Sequence, residues 1–205
     1  MSAGDQSSIR IVQSPLGVKS WATLPPGVDE ARPGRCPVCE APSRPVGGAL
    51  GLHGHGLRER HQWGPVTPGG LPELIGILVR RYQCQPCGAV VVVVPRGVLR
   101  CRLYSAAAIA LALALYGVAA LAPSEVRRRV SPLGIVGATA AAGWASLRRW
   151  SRAVRAERLF PSVRALRPGA SLRQVAARVA TTLAAYASGA GGLPIESAAF
   201  LGASM

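Results

Sequence analysis

The sequence predicts an α+β protein: a small N-terminal ribbon of about three antiparallel strands, followed by an α-helical bundle of about four helices. Three observations predict it. Two Cys-x-x-Cys pairs, Cys36/Cys39 and Cys84/Cys87, bracket a region of short runs separated by turn residues. A run of five valines, 90–94, follows the second pair. From Tyr104 onward, apolar residues recur at helical spacing between prolines.

Residues 1–35 contain Pro15, Pro25, Pro26 and Pro33 with several glycines and no sustained periodicity, so an irregular lead-in is expected. No basic stretch with an apolar run and a cleavage site occurs there, so no secretory signal is expected. Residues 36–102 form the expected ribbon. Leu, Glu, His and Trp alternate with Arg and Gln over 57–63, the breaker Thr67-Pro68-Gly69-Gly70-Leu71-Pro72 follows, and a second run extends over 74–82. These read as a hairpin, and the valine run as a third strand, because β-branched side chains lose freedom in a helix and pack well in a sheet.

Residues 103–188 form the expected helical domain. A first helix spans 104–121, with Ser105 near its start as cap and Pro123 as its stop. Ser124 caps a short second helix over 124–130, with Glu125 placed to suit the helix dipole. The third runs over 140–159 and ends before Pro161, and the fourth spans 171–187 with Leu172, Val175, Val179, Leu183 and Tyr186 on one face. Residues 189–205 are a Gly-rich and then apolar tail without an assigned role.

The chemistry begins with the cysteines. Two thiolates spaced two residues apart on a tight turn bind one metal from the same side, and zinc takes four such ligands tetrahedrally. Cys36, Cys39, Cys84 and Cys87 therefore predict one structural zinc, and Gly88 permits the positive φ such turns need. The 44 residues between the pairs are accounted for by the hairpin, which returns the chain to the metal. Paired cysteines of this kind favour a reducing compartment, hence the cytoplasm, over a secreted disulfide scaffold. Cys101 is left over and reads as a small hydrophobe. His53, His55 and His61 raise a second-metal or catalytic site, but four cysteines close a zinc site and leave no open position for water. No nucleophile with a base and no phosphate-cradling glycine loop is visible, so a non-enzymatic protein is expected.

Charge points to the partner. Lys and Arg total 24 against 9 acids, a net charge of +15, and Lys19 is the one lysine. A pI near 11.4 favours a polyanion. Residues 121–167 hold ten arginines against Glu125 and Glu157, a local charge of +8. Projection of 140–159 at about 100° per residue places Trp144, Leu147, Trp150 and Val154 on one face and Arg148, Arg149, Arg152 and Arg155 on another. One packing stripe opposite one guanidinium stripe suits contact with duplex DNA, since Arg grips phosphate or guanine in bidentate fashion.

A Cys-x-x-Cys knuckle, a hairpin, Arg-Tyr-Gln-Cys-Gln-Pro-Cys-Gly over 81–88, a valine strand and then Tyr104-Ser105 opening a helix together resemble a known family. It is the zinc-ribbon plus helix-turn-helix module of bacterial insertion-sequence transposases and of small transposon-linked proteins. The resemblance spans about 35–160. It implies that the four cysteines hold the zinc and that the helix carrying Trp144 to Arg155 reads DNA; a separate transposase is a candidate partner that the sequence leaves open. Two features depart from the family: the stretch 131–139 exceeds a standard helix-turn-helix turn, and three carboxylates able to hold catalytic metal are missing, the only aspartates being Asp5 and Asp29.

Two other readings compete. Residues 104–121 carry no charge over 18 positions, the length of a membrane span. Their alanine content favours a buried helix instead. The ribbon would alternatively serve as a protein-interaction module, with the arginine helix incidental.

Overall fold

A computed structural model of the chain describes residues 10–134, 143–163, 167, 169–189 and 191–203. The chain divides into two compact units, one of Met1–His61 and Ile75–Arg100, the other of Gln62–Leu74 and Cys101–Met205.

The first unit corrects the predicted ribbon. Its elements are β1 (Arg10–Gly17), α1 (Val18–Thr23), β2 (Leu52–Gly64), β3 (Glu73–Cys84) and β4 (Val90–Arg96). They build a four-stranded sheet of order β1-β4-β3-β2. The lead-in thus supplies an edge strand, and the fold is mixed α/β rather than a three-stranded antiparallel ribbon ahead of a four-helix bundle. β1 runs parallel to β4, with Ile11 opposite Val92 and Val12 opposite Val93. Pro15 does not break it, because the register shifts between Gln13 and Gly17 and a proline is tolerated at an irregular edge, where no ladder donor is required. β3 and β4 are antiparallel, pairing Tyr82 with Val91 and Arg80 with Val93.

Central β4 has apolar clusters on both faces, which explains why its sequence is unbroken valine rather than alternating. Val91 and Val93 join Trp21, Leu52, Tyr82, Cys36 and Cys84 in one core cluster, whereas Val92 and Val94 join Ile77, Val79 and Val98 in another. α1 anchors the lead-in through Trp21, which is buried and donates its indole N–H to the Leu78 carbonyl at 2.7 Å.

The second unit is helical. It contains α2 (Ala106–Gly117), α3 (Pro123–Val130), α4 (Ala145–Arg155), α5 (Leu172–Ala184) and α6 (Ile195–Gly202). Ser105 caps α2 by accepting from the Ala108 N–H at 3.0 Å. Residues 106–115 of α2 are all buried, as an all-apolar helix requires, and it packs against α3, α4, α5 and α6. Gly117 is obligatory at the α5 contact, where a Cβ would meet the Ala177 nitrogen. Among the described residues, no helix is long and apolar enough to cross a membrane.

Pro123 proves to be the first residue of α3 rather than only the stop of α2, since its missing N–H costs nothing there. α4 is shorter than expected; its predicted start at 140–142, and the stretch 135–139 before it, lie outside the described residues, as do 1–9. Ser171 caps α5 in a reciprocal capping box with Gln174. The tail forms α6, with Ala199 and Phe200 buried against neighbours that include α2 and α5. Its Gly202 sits where a Cβ would overlap the Leu183 carbonyl.

Candidate metal centre

Cys36, Cys39, Cys84 and Cys87 come together in the first unit, with all four Sγ atoms within 4.8 Å of one another. Cys36 and Cys84 are buried, Cys39 and Cys87 exposed, and all are free thiols. Across the two pairs, Cys36 Sγ lies 3.8 Å from Cys87 Sγ and Cys39 Sγ 3.7 Å from Cys84 Sγ. These separations are far beyond a disulfide bond of about 2.05 Å.

The two turns that present the sulfurs share one backbone pattern. The Cys36 N–H donates to Ala41 O at 2.9 Å and the Glu40 N–H returns to Cys36 O at 3.0 Å. In the second turn the Cys84 N–H donates to Ala89 O at 3.0 Å and the Gly88 N–H to Cys84 O at 2.8 Å. The residue after each pair has a left-handed backbone, Gly88 at φ 71° and Glu40 at φ 59°. Glycine occupies this conformation freely, whereas glutamate does so at a cost. Aligning Cys-Pro-Val-Cys-Glu-Ala with Cys-Gln-Pro-Cys-Gly-Ala reveals this short internal repeat, and that alignment is the signal by which Glu40, Ala41 and Ala89 are recognised as parts of the site.

Gly51 ties one turn to the other. Its N–H donates to Ser43 O at 2.8 Å, and its carbonyl accepts from the Gln85 N–H at 2.9 Å. A side chain has no room there, since a Cβ would lie 2.4 Å from Pro42 O. The sulfurs are therefore held by a continuous backbone network rather than by loose loops.

The thiols are electrostatically unequal. Burial pushes Cys36 up, but hydrogen bonds from the backbone N–H groups of Cys39 and Val38 and from the Cys84 and Cys39 thiols together outweigh it and bring its pKa down to about 7. Burial takes Cys84 up to about 12. The cluster as a group thus gives up one proton readily and the next with difficulty. A cation in the middle favours the ionised form of all four. The donor set, its spacing and its backbone frame fit one metal ion.

His53, His55 and His61 lie on exposed positions of β2. The His53 ring nitrogen is 2.7 Å from Leu50 O, and His61 is 3.6 Å from the Glu59 carboxylate. None belongs to the cysteine cluster.

The predicted DNA-contacting arginines all fall on α4 in the second unit. Leu147, Trp150, Ser151, Ala153 and Val154 are its buried face, and Arg148, Arg149, Arg152 and Arg155 are exposed. Arg155 also donates to the Ala170 carbonyl. Behind the helix, Trp144 and Trp150 pack edge to face at 4.9 Å, and Tyr104 meets Trp150 at 5.0 Å and Trp63 at 5.5 Å. Sequence reasoning missed the partnership of Trp63 with this helical core. The chain bends back through a bridge in which the Trp63 N–H donates to Leu103 O at 2.8 Å, a pairing of residues 40 positions apart without local signature. No family model, no curated protein and no solved structure matches the chain.

Proposed function

We propose that the chain is a non-catalytic, cytoplasmic DNA-binding protein whose first unit is held by one structural zinc ion and whose α4 arginines contact the duplex. The observation that carries the DNA reading is the division of α4, with an aromatic and aliphatic face buried and four guanidinium groups turned outward. Arg148, Arg152 and Arg155 lie along one strip, so they reach a phosphate backbone together. The association with a transposon, and with a separate transposase, follows from the sequence resemblance and is part of the same proposal.

Zinc is favoured by the donor set and the spacing. Four thiolates at about 2.3 Å from a central ion stand about 3.8 Å apart. The observed cross-pair separations are 3.7 and 3.8 Å. Four protein ligands fill a tetrahedral ion, so its role is structural: it clamps the two turns to the sheet and leaves no position for a substrate. Protein purified without added zinc should carry about one zinc per chain, and Cys84→Ser should lose both the metal and the cooperative unfolding transition. A fully folded, metal-free wild type would refute the zinc assignment.

DNA contact is tested by a salt titration of duplex affinity for wild type and for the triple variant Arg148→Ala, Arg152→Ala, Arg155→Ala. Each lost phosphate contact should flatten the slope of log affinity against log salt by about one. An unchanged affinity and slope in the folded triple variant would reduce α4 to a solvated surface. The readout does not depend on the zinc assignment.

A further inference from the structure

The second unit contains a cavity of about 530 Å³ lined by Trp144 and Trp150, two residues of the aromatic core at α4, and by arginines from two helices. Arg148 and Arg149 come from α4 and Arg127 from α3, and Trp63, Cys101 and Leu133 are also part of the wall. Among the described lining residues there is no carboxylate. Glu125, the one acid on α3, pairs with Arg128 and Arg129, so its charge is engaged away from Arg127. On two of the lining residues, Arg127 Nε and the Trp63 indole N–H are buried without a hydrogen-bond partner among the described residues, so neither atom faces the open space itself.

We propose that this cavity binds a nucleotide, with its phosphate held by Arg127, Arg148 and Arg149 and its sugar and base against Leu133 and the edge of Trp63. Arginines from two helices line one space, and several guanidinium groups around one space suit a tetrahedral oxyanion. The volume decides between a bare phosphate and something larger. A site of several hundred Å³ suits a small organic ligand rather than a single oxyanion. The site shares Arg148 and Arg149 with the duplex-contact reading and rests on it for the source of the nucleotide, a unit of a DNA strand.

Cys101 reports on occupancy, because it is exposed and lines the cavity. The experiment measures tryptophan fluorescence and the rate of Cys101 alkylation by iodoacetamide, mapped by peptide mass spectrometry, in the full chain. The probes are deoxyadenosine 5′-monophosphate, deoxyadenosine and inorganic phosphate. The monophosphate should change the fluorescence and slow Cys101 alkylation, with an affinity at least about tenfold above either of the other two. Arg127→Gln should weaken it about tenfold, whereas Arg152→Ala, outside the cavity, should leave it within about twofold while weakening duplex binding. Arg149→Gln, on an exposed position, serves in place of Arg127→Gln should that variant disturb α3. Equal binding of inorganic phosphate, equal binding of deoxyadenosine, or a monophosphate affinity indifferent to both arginine variants would overturn the proposal. Duplex binding without nucleotide binding removes the cavity proposal alone. Nucleotide binding without duplex binding removes the α4 reading and leaves the cavity as a nucleotide site.

Discussion

Trp21→Ala should detach the N-terminal segment from the sheet. Trp21 is only 1% exposed and shares a core cluster with Leu52, Tyr82, Val91, Val93 and two of the metal-site cysteines. Truncating a buried tryptophan costs about 3–5 kcal/mol through lost transfer energy and the cavity left behind. The Leu78 carbonyl also loses its 2.7 Å indole donor, which places the expected cost in the upper part of that range, about 4–5 kcal/mol. Each 1.4 kcal/mol is a factor of ten, so the open population of this segment should rise roughly a thousandfold. The sequence provides its own assay, since Lys19 is the only lysine and lies in α1, two residues before the tryptophan. A lysine-specific protease can cut the chain only there, and its rate at low concentration follows the open population. Trp21→Phe, which keeps a ring but drops the donor, should fall between the two. A change of less than tenfold for Trp21→Ala would refute the docking of the lead-in and, with it, the account of β1 as part of the sheet.

Further outcomes follow from features of both units. Gly88→Ala should destabilise the metal-bound protein by about 1 kcal/mol and Glu40→Gly should stabilise it by up to about 1 kcal/mol, because both positions are left-handed; melting midpoints that shift in the same direction would count against equivalent turns. Leu113→Arg, at a fully buried position of α2, should cost more than about 4 kcal/mol and abolish the native circular dichroism spectrum, whereas a soluble variant with a wild-type spectrum would show that α2 is not a core helix. Burial raises the phenols of Tyr82 and Tyr104 above the ordinary value of 10.0. Their folded forms therefore favour the protonated state, so stability is intact below about pH 10 and is lost as pH rises through the folded values. Thermal midpoints that stay flat from pH 9 to beyond 11 would contradict this, and Tyr104→Phe should lessen the alkaline loss.

What could be read from the sequence was whatever is local. The Cys-x-x-Cys turns and the Ser105 cap each lie within a few residues, and the structure contains them. The valine run announces a strand with both faces covered. β1 escaped because its evidence is non-local: Arg10 pairs with Val91 across the whole hairpin region, and Pro15 disguises an edge strand as a loop. α6 escaped for a related reason, since its small residues fit only because α5 approaches closely enough to exclude a Cβ at Gly202. For the candidate site, spacing picked out the four cysteines that cluster but not the backbone bracing through Gly51. The stripe pattern of 140–159 placed the arginines of α4 on its exposed side, yet gave no sign of the cavity that two of them share with Arg127.

The division of the chain also carries a consequence for synthesis. The first unit needs nothing beyond Arg100, but the second draws on Gln62–Leu74, which are made before the first unit is complete. On a ribosome adding about 5–20 residues per second, the roughly hundred residues from Cys101 onward take about 5–20 s to appear. During that interval the sheet and its cysteine cluster can form, while Trp63 waits on the nascent chain for the helical core it packs against, not yet translated. Until then Trp63 lacks its aromatic partners, and slowing translation after residue 100 should lengthen that exposure in proportion.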